Sequence, residues 1–200
     1  MKRFIIAIGI IGLIIPCFIF ATEYTVSSYT YMDPKYYTDE TMKIRYEDET
    51  NDYMFYVSDS YQTIWMVFTE EDLNIMRNTA QKALEWQKVA LENKVEVSKE
   101  IPNSQLSMKI AEKSGSSFYS GSYKVPVRFN FVSTEGAGLT VLMLVGGSTT
   151  ASSNKYIDLE FVGQWIMDIQ GFADAISEKT ISEAISKHNS ASSNAEELFK

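Results

Sequence analysis

Few residues in this chain can do chemistry. One cysteine, Cys17, and one histidine, His188, stand among 200 residues that include 26 acids and 12 tyrosines. A histidine-based triad needs a nucleophile and an acid around its imidazole, and zinc sites lean on Cys and His together. His188 falls at the end of the last helical pattern, where a cation suits the helix C-terminus. No catalytic residue, metal ligand or cofactor site is therefore assigned.

The carboxylates are numerous enough for a two-acid hydrolase, so a glycosidase-like enzyme is the alternative from another functional class. Most of them have simpler duties. Glu70, Glu71 and Asp72 follow Thr69, where a helix cap and a first turn favour acids. Asp48, Glu49 and Asp52 surround a turn, and Asp158 and Glu160 alternate with apolar residues, which places them on the wet face of a strand. DETND at 48–52 is like a loose calcium loop, but it lacks the glycine and distal glutamate of an EF-hand. SSNK at 152–155 matches S-x-x-K in letters only: that chemistry needs Ser and Lys one helical turn apart, and no K-T-G follows.

Aromatic residues are better supplied. YTVSSYTYMDPKYY carries Tyr24, Tyr29, Tyr31, Tyr36 and Tyr37. In a regular strand Tyr29 and Tyr31 share the face opposite Tyr24, and an edge strand packed under a helix accounts for most of these rings. Tyr36 and Tyr37, just after Pro34, are the pair expected at the surface. A tyrosine offers a flat apolar body with a polar tip, suited to a glycan, a peptide or a partner protein, so these two are the ligand-contact candidates.

The elements that position such groups follow from periodicity. In TMKIRYED, Met42, Ile44 and Tyr46 point one way while Lys43, Arg45 and Glu47 point the other, the mark of a half-buried strand. YMFYV and YQTIWMVF continue the alternation, separated by turn-prone ETND and SDS. After Thr69 the period changes: Leu73, Met76, Ala80, Ala83, Leu84 and Leu91 recur at helical spacing to about Asn93, with Trp86 and Val89 widening the stripe. VEVSKEIPNSQLSMKIAEKS reads as strands split at Pro102, and SFYSGSYKVPVRFNFVS as a strand with Val125, Val127, Phe129 and Phe131 on one face and a bulge or edge at Pro126. LTVLMLV is apolar on both faces and so central, GGSTTASSN is a loop, and KYIDLEFVG alternates again. A second long helix, capped by Asp168, carries Ile169, Phe172, Ala173, Ile176, Ile181, Ala184 and Ile185.

This order predicts an α+β fold: an antiparallel sheet of about 7–8 strands in meanders, with two long amphipathic helices packed on it. YQTIWMVF before TEEDL, and KYIDLEFVG before QWIMDIQ, point to a meander-plus-helix unit used twice. The domain occupies 22–188, and the Ser- and Asn-rich 189–200 forms a flexible tail.

Residues 1–21 form a leader. Lys2 and Arg3 precede an uncharged run of 17 residues from Phe4 to Phe20, the length and polarity of a secretory signal, whereas a spanning helix needs about 20 apolar residues. Cys17 follows Pro16, where a lipoprotein signal requires Gly, Ala or Ser, so lipidation and an uncleaved anchor are the lesser readings. Cleavage falls between Ala21 and Thr22. The 179 remaining residues contain no cysteine, so an oxidising compartment, periplasmic or extracellular, finds no disulfide to form.

With Lys2 and Arg3 gone, 16 basic residues face 26 acidic ones, a net charge of −10. Such an acidic surface repels phosphate backbones and anionic headgroups, which disfavours nucleic acid as a partner, and no stable membrane span remains after cleavage. The reading is an exported bacterial protein that acts as a non-catalytic binding or interaction module for an unknown protein, peptide or glycan ligand. Besides the hydrolase, the alternative is a carrier of small apolar ligands in a cavity between sheet and helix. Intact-mass measurement on protein from its host should give a chain beginning at Thr22; an acylated species beginning at Cys17 would make it a lipoprotein instead.

Overall fold

In an extended chain every second side chain faces the same way. The computed structural model describes residues 23–33, 38–58, 62–114, 117–134, 139–146, 149–150, 156–157 and 165–197. In it the alternation builds β1 (Glu23–Asp33), β2 (Thr38–Glu47), β3 (Asp52–Ser58) and β4 (Gln62–Phe68) as an antiparallel meander. Met42 and Ile44 are fully buried while Lys43 is exposed. Ile44, Phe55 and Met66 lie opposite one another across β2, β3 and β4, all on the buried face.

Helix α1 (Glu70–Asn93) starts directly after β4. Thr69 accepts from the Asp72 N–H while the Asp72 carboxylate accepts from the Thr69 N–H at 2.9 Å, a reciprocal cap that satisfies two otherwise orphaned donors. The helix stops where Lys94 turns left-handed at φ 52°. Leu73, Met76, Ala80 and Ala83 are buried as the periodicity requires. Leu91 departs from it: with Val89 it is more than half exposed, and between them Ala90 is the buried residue.

The chain then forms β5 (Val97–Glu100), β6 (Leu106–Ser114), β7 (Ser117–Thr134), β8 (Leu139–Gly146), a small hairpin of β9 (Thr149–Thr150) and β10 (Tyr156–Ile157), and β11 (Trp165–Met167). The expected break at Pro102 separates β5 from β6. β7 pairs with β6 through its first half and with β8 from Val127 onward, so Pro126, which has no N–H to give, sits just before the second pairing begins. The irregularity between these strands lies at Lys109–Ala111 in β6. As its two-sided apolar sequence suggests, β8 is central, with β7 on one side and β11 on the other.

The order β1-β2-β3-β4-β6-β7-β8-β11 returns to β1 through the Met32–Ile166 pair, giving one curled antiparallel sheet whose ends meet, with β5 added along β7. The short β5 guards its free edge with an inward Lys99, whose ammonium lies 5.3 Å from the centre of the Trp86 ring. Each half of the ring is a four-stranded meander whose last strand runs into a capped helix, Phe68 into Thr69 and Met167 into Asp168.

The second helix is two pieces. α2 (Ile169–Ala175) and α3 (Glu178–Glu197) are separated at Ile176 and Ser177, where the Ser177 hydroxyl accepts from the Thr180 N–H at 3.1 Å and caps a new helix. Two expectations change with α3. His188 lies in mid-helix rather than at a C-terminus, and the segment expected to be a flexible tail from residue 189 is helical through Glu197. Neither glycine nor proline interrupts 178–197, and Ser190 returns its hydroxyl hydrogen to the Ser186 carbonyl, so the serines do not break the helix.

Both α1 and α2 lie on the concave, apolar face. Phe55 meets Phe68 edge-on at 4.1 Å, Trp86 of α1 meets Phe131, and Phe172 of α2 packs between Tyr29 and Phe129. Removal of the Thr69 hydroxyl by Thr69→Ala should lower stability by about 1 kcal/mol, seen as an earlier urea midpoint. Glu71→Gln, at an exposed position, should stay within about 0.5 kcal/mol; a larger loss from Glu71 than from Thr69 would contradict the capping assignment.

Candidate functional site

Strand register brings aromatic residues into line. Tyr24 on β1 pairs with Tyr46 on β2, Tyr46 with Tyr53 on β3, and Tyr53 with Phe68 on β4. Opposite residues of an antiparallel pair have close side chains, and here the Tyr24 and Tyr46 ring centres lie 5.9 Å apart, those of Tyr46 and Tyr53 5.1 Å. The row runs along the end of the sheet where the β2–β3 hairpin turns and α1 begins.

Tyr24 belongs to this row because β1 is irregular. Its register to β2 shifts between Thr25 and Ser27, inserting Val26 as an extra residue. One extra residue reverses the side-chain parity beyond it. Tyr24 and Tyr29 therefore lie on the same face, opposite Tyr46 and Met42 respectively, where regular alternation would separate them. Tyr29 and Tyr31 are buried, and β1 is paired on both sides, by β2 and by β11, rather than being an edge.

Polar partners surround the tips of the row. The Tyr24 hydroxyl donates to Asp48 at 3.3 Å and the Tyr46 hydroxyl to Asn51 at 2.7 Å. Asn51 sits at φ 57° in the hairpin turn, a left-handed position that asparagine tolerates, and its N–H returns to the Glu47 carbonyl. The Tyr53 hydroxyl bonds the Glu70 carboxylate, which also holds Arg77. Arg77 in turn donates to the Ile176 carbonyl at 2.8 Å and to Asn74, tying the start of α1 to the end of α2. On the other flank the His188 ring stacks flat on Tyr24, centres 3.6 Å apart and planes within 6°, and so holds α3 against β1.

Electrostatics keep the phenols neutral. Burial, reinforced by the charge of Asp48 and its hydrogen bond, pushes the Tyr24 hydroxyl up to about 12. Burial first, and then nearby Asp48 and Glu70, raises Tyr46. Tyr53 is raised further by burial and the Glu70 bond, and Tyr29 by burial and the Asp168 charge. A nucleophile or general base needs a shift in the opposite direction. These groups are hydrogen-bond donors in every ordinary range of pH.

Tyr29 also joins the second helix start. Its hydroxyl donates to the Asp168 carbonyl at 3.0 Å, while the Asp168 carboxylate accepts from the Gly171 N–H at 2.6 Å. A Cβ on Gly171 would come within 2.8 Å of that carboxylate and 3.1 Å of the Tyr29 ring, so the cap itself requires glycine there.

The chain matches no protein-family model, no curated protein sequence and no solved structure. Its chemistry has to be read from its own residues.

Of the positions singled out in the sequence, Tyr36, Tyr37, Asp158, Glu160, the SSNK segment, Cys17 and the Ala21–Thr22 bond lie outside the described residues. Asp72 serves the helix start, as anticipated; Asp48, within the β2–β3 turn, accepts from Tyr24, and Glu70 adds the link to Tyr53 and Arg77. Among the described residues no group of three His, Cys, Asp or Glu could hold a metal ion, and no helix is long and apolar enough to cross a membrane. Alternation alone places Tyr46 inward, but neither its neighbours in the row nor the stacking of His188 follows from local pattern. Tyr24 was concealed by the bulge, and His188 by a helix bend.

Phenols raised in the folded state stabilise it fully below their unfolded pKa, and that contribution disappears as pH climbs through the folded value. For Tyr24 the loss falls between about pH 10, the ordinary phenol value, and the raised value of about 12. Absorbance titration of phenolate should show Tyr24, Tyr29, Tyr46 and Tyr53 ionising late, and Tyr24→Phe should flatten the fall in stability over that window. An unchanged alkaline slope in Tyr24→Phe would show that the burial of the Tyr24 hydroxyl beside Asp48 is not maintained in solution.

Proposed function

We propose that the protein is an exported, non-catalytic binding or interaction module, with its contact surface along the Tyr24–Tyr46 row and the hairpin tip beside it. One observation carries the reading: partly exposed phenol rings stand in a row with neutral, hydrogen-bonding tips at a rim made by Asp48 and Asn51. Such rings give flat apolar contact at low entropic cost, and their rim supplies directional hydrogen bonds. That combination suits the ring faces and hydroxyls of a glycan or the backbone of an extended peptide.

Other observations weigh in the same direction. Among the described residues Asp72, Glu47 and Glu70 are engaged by a cap, a turn and the Arg77 link. The concave face that a carrier would hollow out is filled by Phe55, Phe68, Phe129, Phe131 and Phe172, each at most 1% exposed. For export, the first strand begins at Glu23, so removal of residues 1–21 leaves every described element whole.

Panels of immobilised glycans and peptides, probed with the chain lacking residues 1–21, test the reading. Tyr46→Ala should weaken the captured interaction by about 2 kcal/mol, as anchor aromatics do, with Tyr46→Phe intermediate because it keeps the ring and loses the Asn51 bond. Loss on Tyr36→Ala with Tyr37→Ala, and none on Tyr46→Ala, would move the contact to the β1–β2 connection. Turnover of any glycan in the panel would overturn the non-catalytic assignment.

A further inference from the structure

A second concavity lies on the far side of α1 from the tyrosine row. It is an open groove of about 410 Å³ between the middle of α1 and the connection from β5 to β6, lined by Ile75, Asn78, Thr79, Lys82, Pro102 and Asn103. Small-molecule sites usually fall between about 300 and 1,000 Å³ and combine an apolar floor with a few placed polar groups. We propose that this groove binds a terminal carboxylate carried on a short apolar body.

The rim is built rather than loose. Pro102 in second place and Asn103 at φ 60° in third make the type II turn pattern, closed by the Ser104 N–H on the Ile101 carbonyl at 3.3 Å. Behind it the buried Ser104 hydroxyl accepts from the Phe129 N–H at 3.1 Å, and the Ile101 N–H donates to the Phe129 carbonyl at 2.9 Å. The turn is thereby pinned to β7, in the core, and places Asn103 on the rim of the groove opposite α1. On the helix side Thr79 is buried and spends its hydroxyl on the Ile75 carbonyl, so it presents a methyl group beside Ile75 as apolar floor.

Charge selects the ligand. In a chain of net charge −8 the lining contains one cation, Lys82, and no acid, with the carboxamides of Asn78 and Asn103 as neutral donors on either side. Among the described residues Lys82 is engaged by Glu85 alone, in an exposed pair on the same helix, and such pairs are weak enough for an incoming carboxylate to compete. An ammonium and two amides above Ile75 and Pro102 complement an anionic head on a small apolar group. A free acid and the C-terminus of a peptide share that chemistry.

The test is an amide-NMR titration of the chain lacking residues 1–21. N-acetyl-leucine should give saturable shifts centred on Asn78, Thr79, Lys82 and Asn103, and N-acetyl-leucinamide should bind about tenfold more weakly, the scale of one lost charge-assisted bond. Lys82→Gln should weaken the acid about tenfold as well, while Glu85→Gln, which frees the ammonium, should tighten it. Asn103→Gly keeps the left-handed turn and removes only the amide, so a loss of affinity with unchanged melting assigns that donor to the ligand. A hexapeptide ending in leucine that binds more tightly than N-acetyl-leucine identifies a peptide terminus as the source; equal binding identifies a free acid. Shifts of equal size with acid and amide, shifts centred elsewhere, or no saturation with any of the three would overturn the proposal. The tyrosine row is untouched by these variants, so its fate and that of the groove are read separately.

Discussion

A curled antiparallel sheet with one apolar face cannot stand alone in water, and most of this molecule's design follows from that constraint. The concave face carries Val26, Met42, Ile44, Phe55, Met66, Phe129, Phe131 and Leu142, all buried. Burial of such side chains is the dominant favourable term in folding, at roughly 1.5–3 kcal/mol for each large one. Helices α1 and α2 supply the opposing surface through Leu73, Met76, Ala83, Ile169 and Phe172. Because the sheet closes on itself, the meander ends need no protection except at β5, where Lys99 turns inward over Trp86.

Placing the helices is a matter of polar contacts at their starts. Thr69 and Asp168 cap α1 and α2 immediately after the last strand of each meander, so strand direction and helix direction are joined with no slack. Both starts are fastened to the sheet by a tyrosine hydroxyl, Tyr53 to Glu70 and Tyr29 to the Asp168 carbonyl. Arg77 then links α1 to the end of α2. The acids near these starts look catalytic in a list of residues, yet their geometry makes them fasteners. The same links, added to burial, push the phenols toward the neutral form.

Much of this architecture is legible in the amino acids. Alternation at Met42, Ile44 and Tyr46 places β2 and its faces, and the pattern from Thr69 through Leu73, Met76, Ala80 and Ala83 defines the start of α1 and its buried face. LTVLMLV announces a central strand, and Pro102 a break. These features are local: a side-chain period of two or of 3.6 and a cap within four residues are properties of neighbouring positions, so neighbouring residues suffice to specify them.

What only the tertiary structure decided is long-range. The Val26 bulge brings Tyr24 onto the face of Tyr29, because an extra residue is accepted wherever the partner strand and the core reward it, and no local period records that. The bend at Ser177 and the continuation of α3 through Glu197 bring His188 onto Tyr24, 164 positions away in the chain. Closure of the ring through the Met32–Ile166 pair, the Arg77 link between two helices and the groove facing the Pro102–Asn103 turn likewise join residues that share no sequence neighbourhood. The sequence by itself determined the elements, the caps and the acidic, cysteine-poor character of the chain. Which of its tyrosines meet, and which acids are spoken for, depended on a strand register and helix packing set by the burial of a whole face at once.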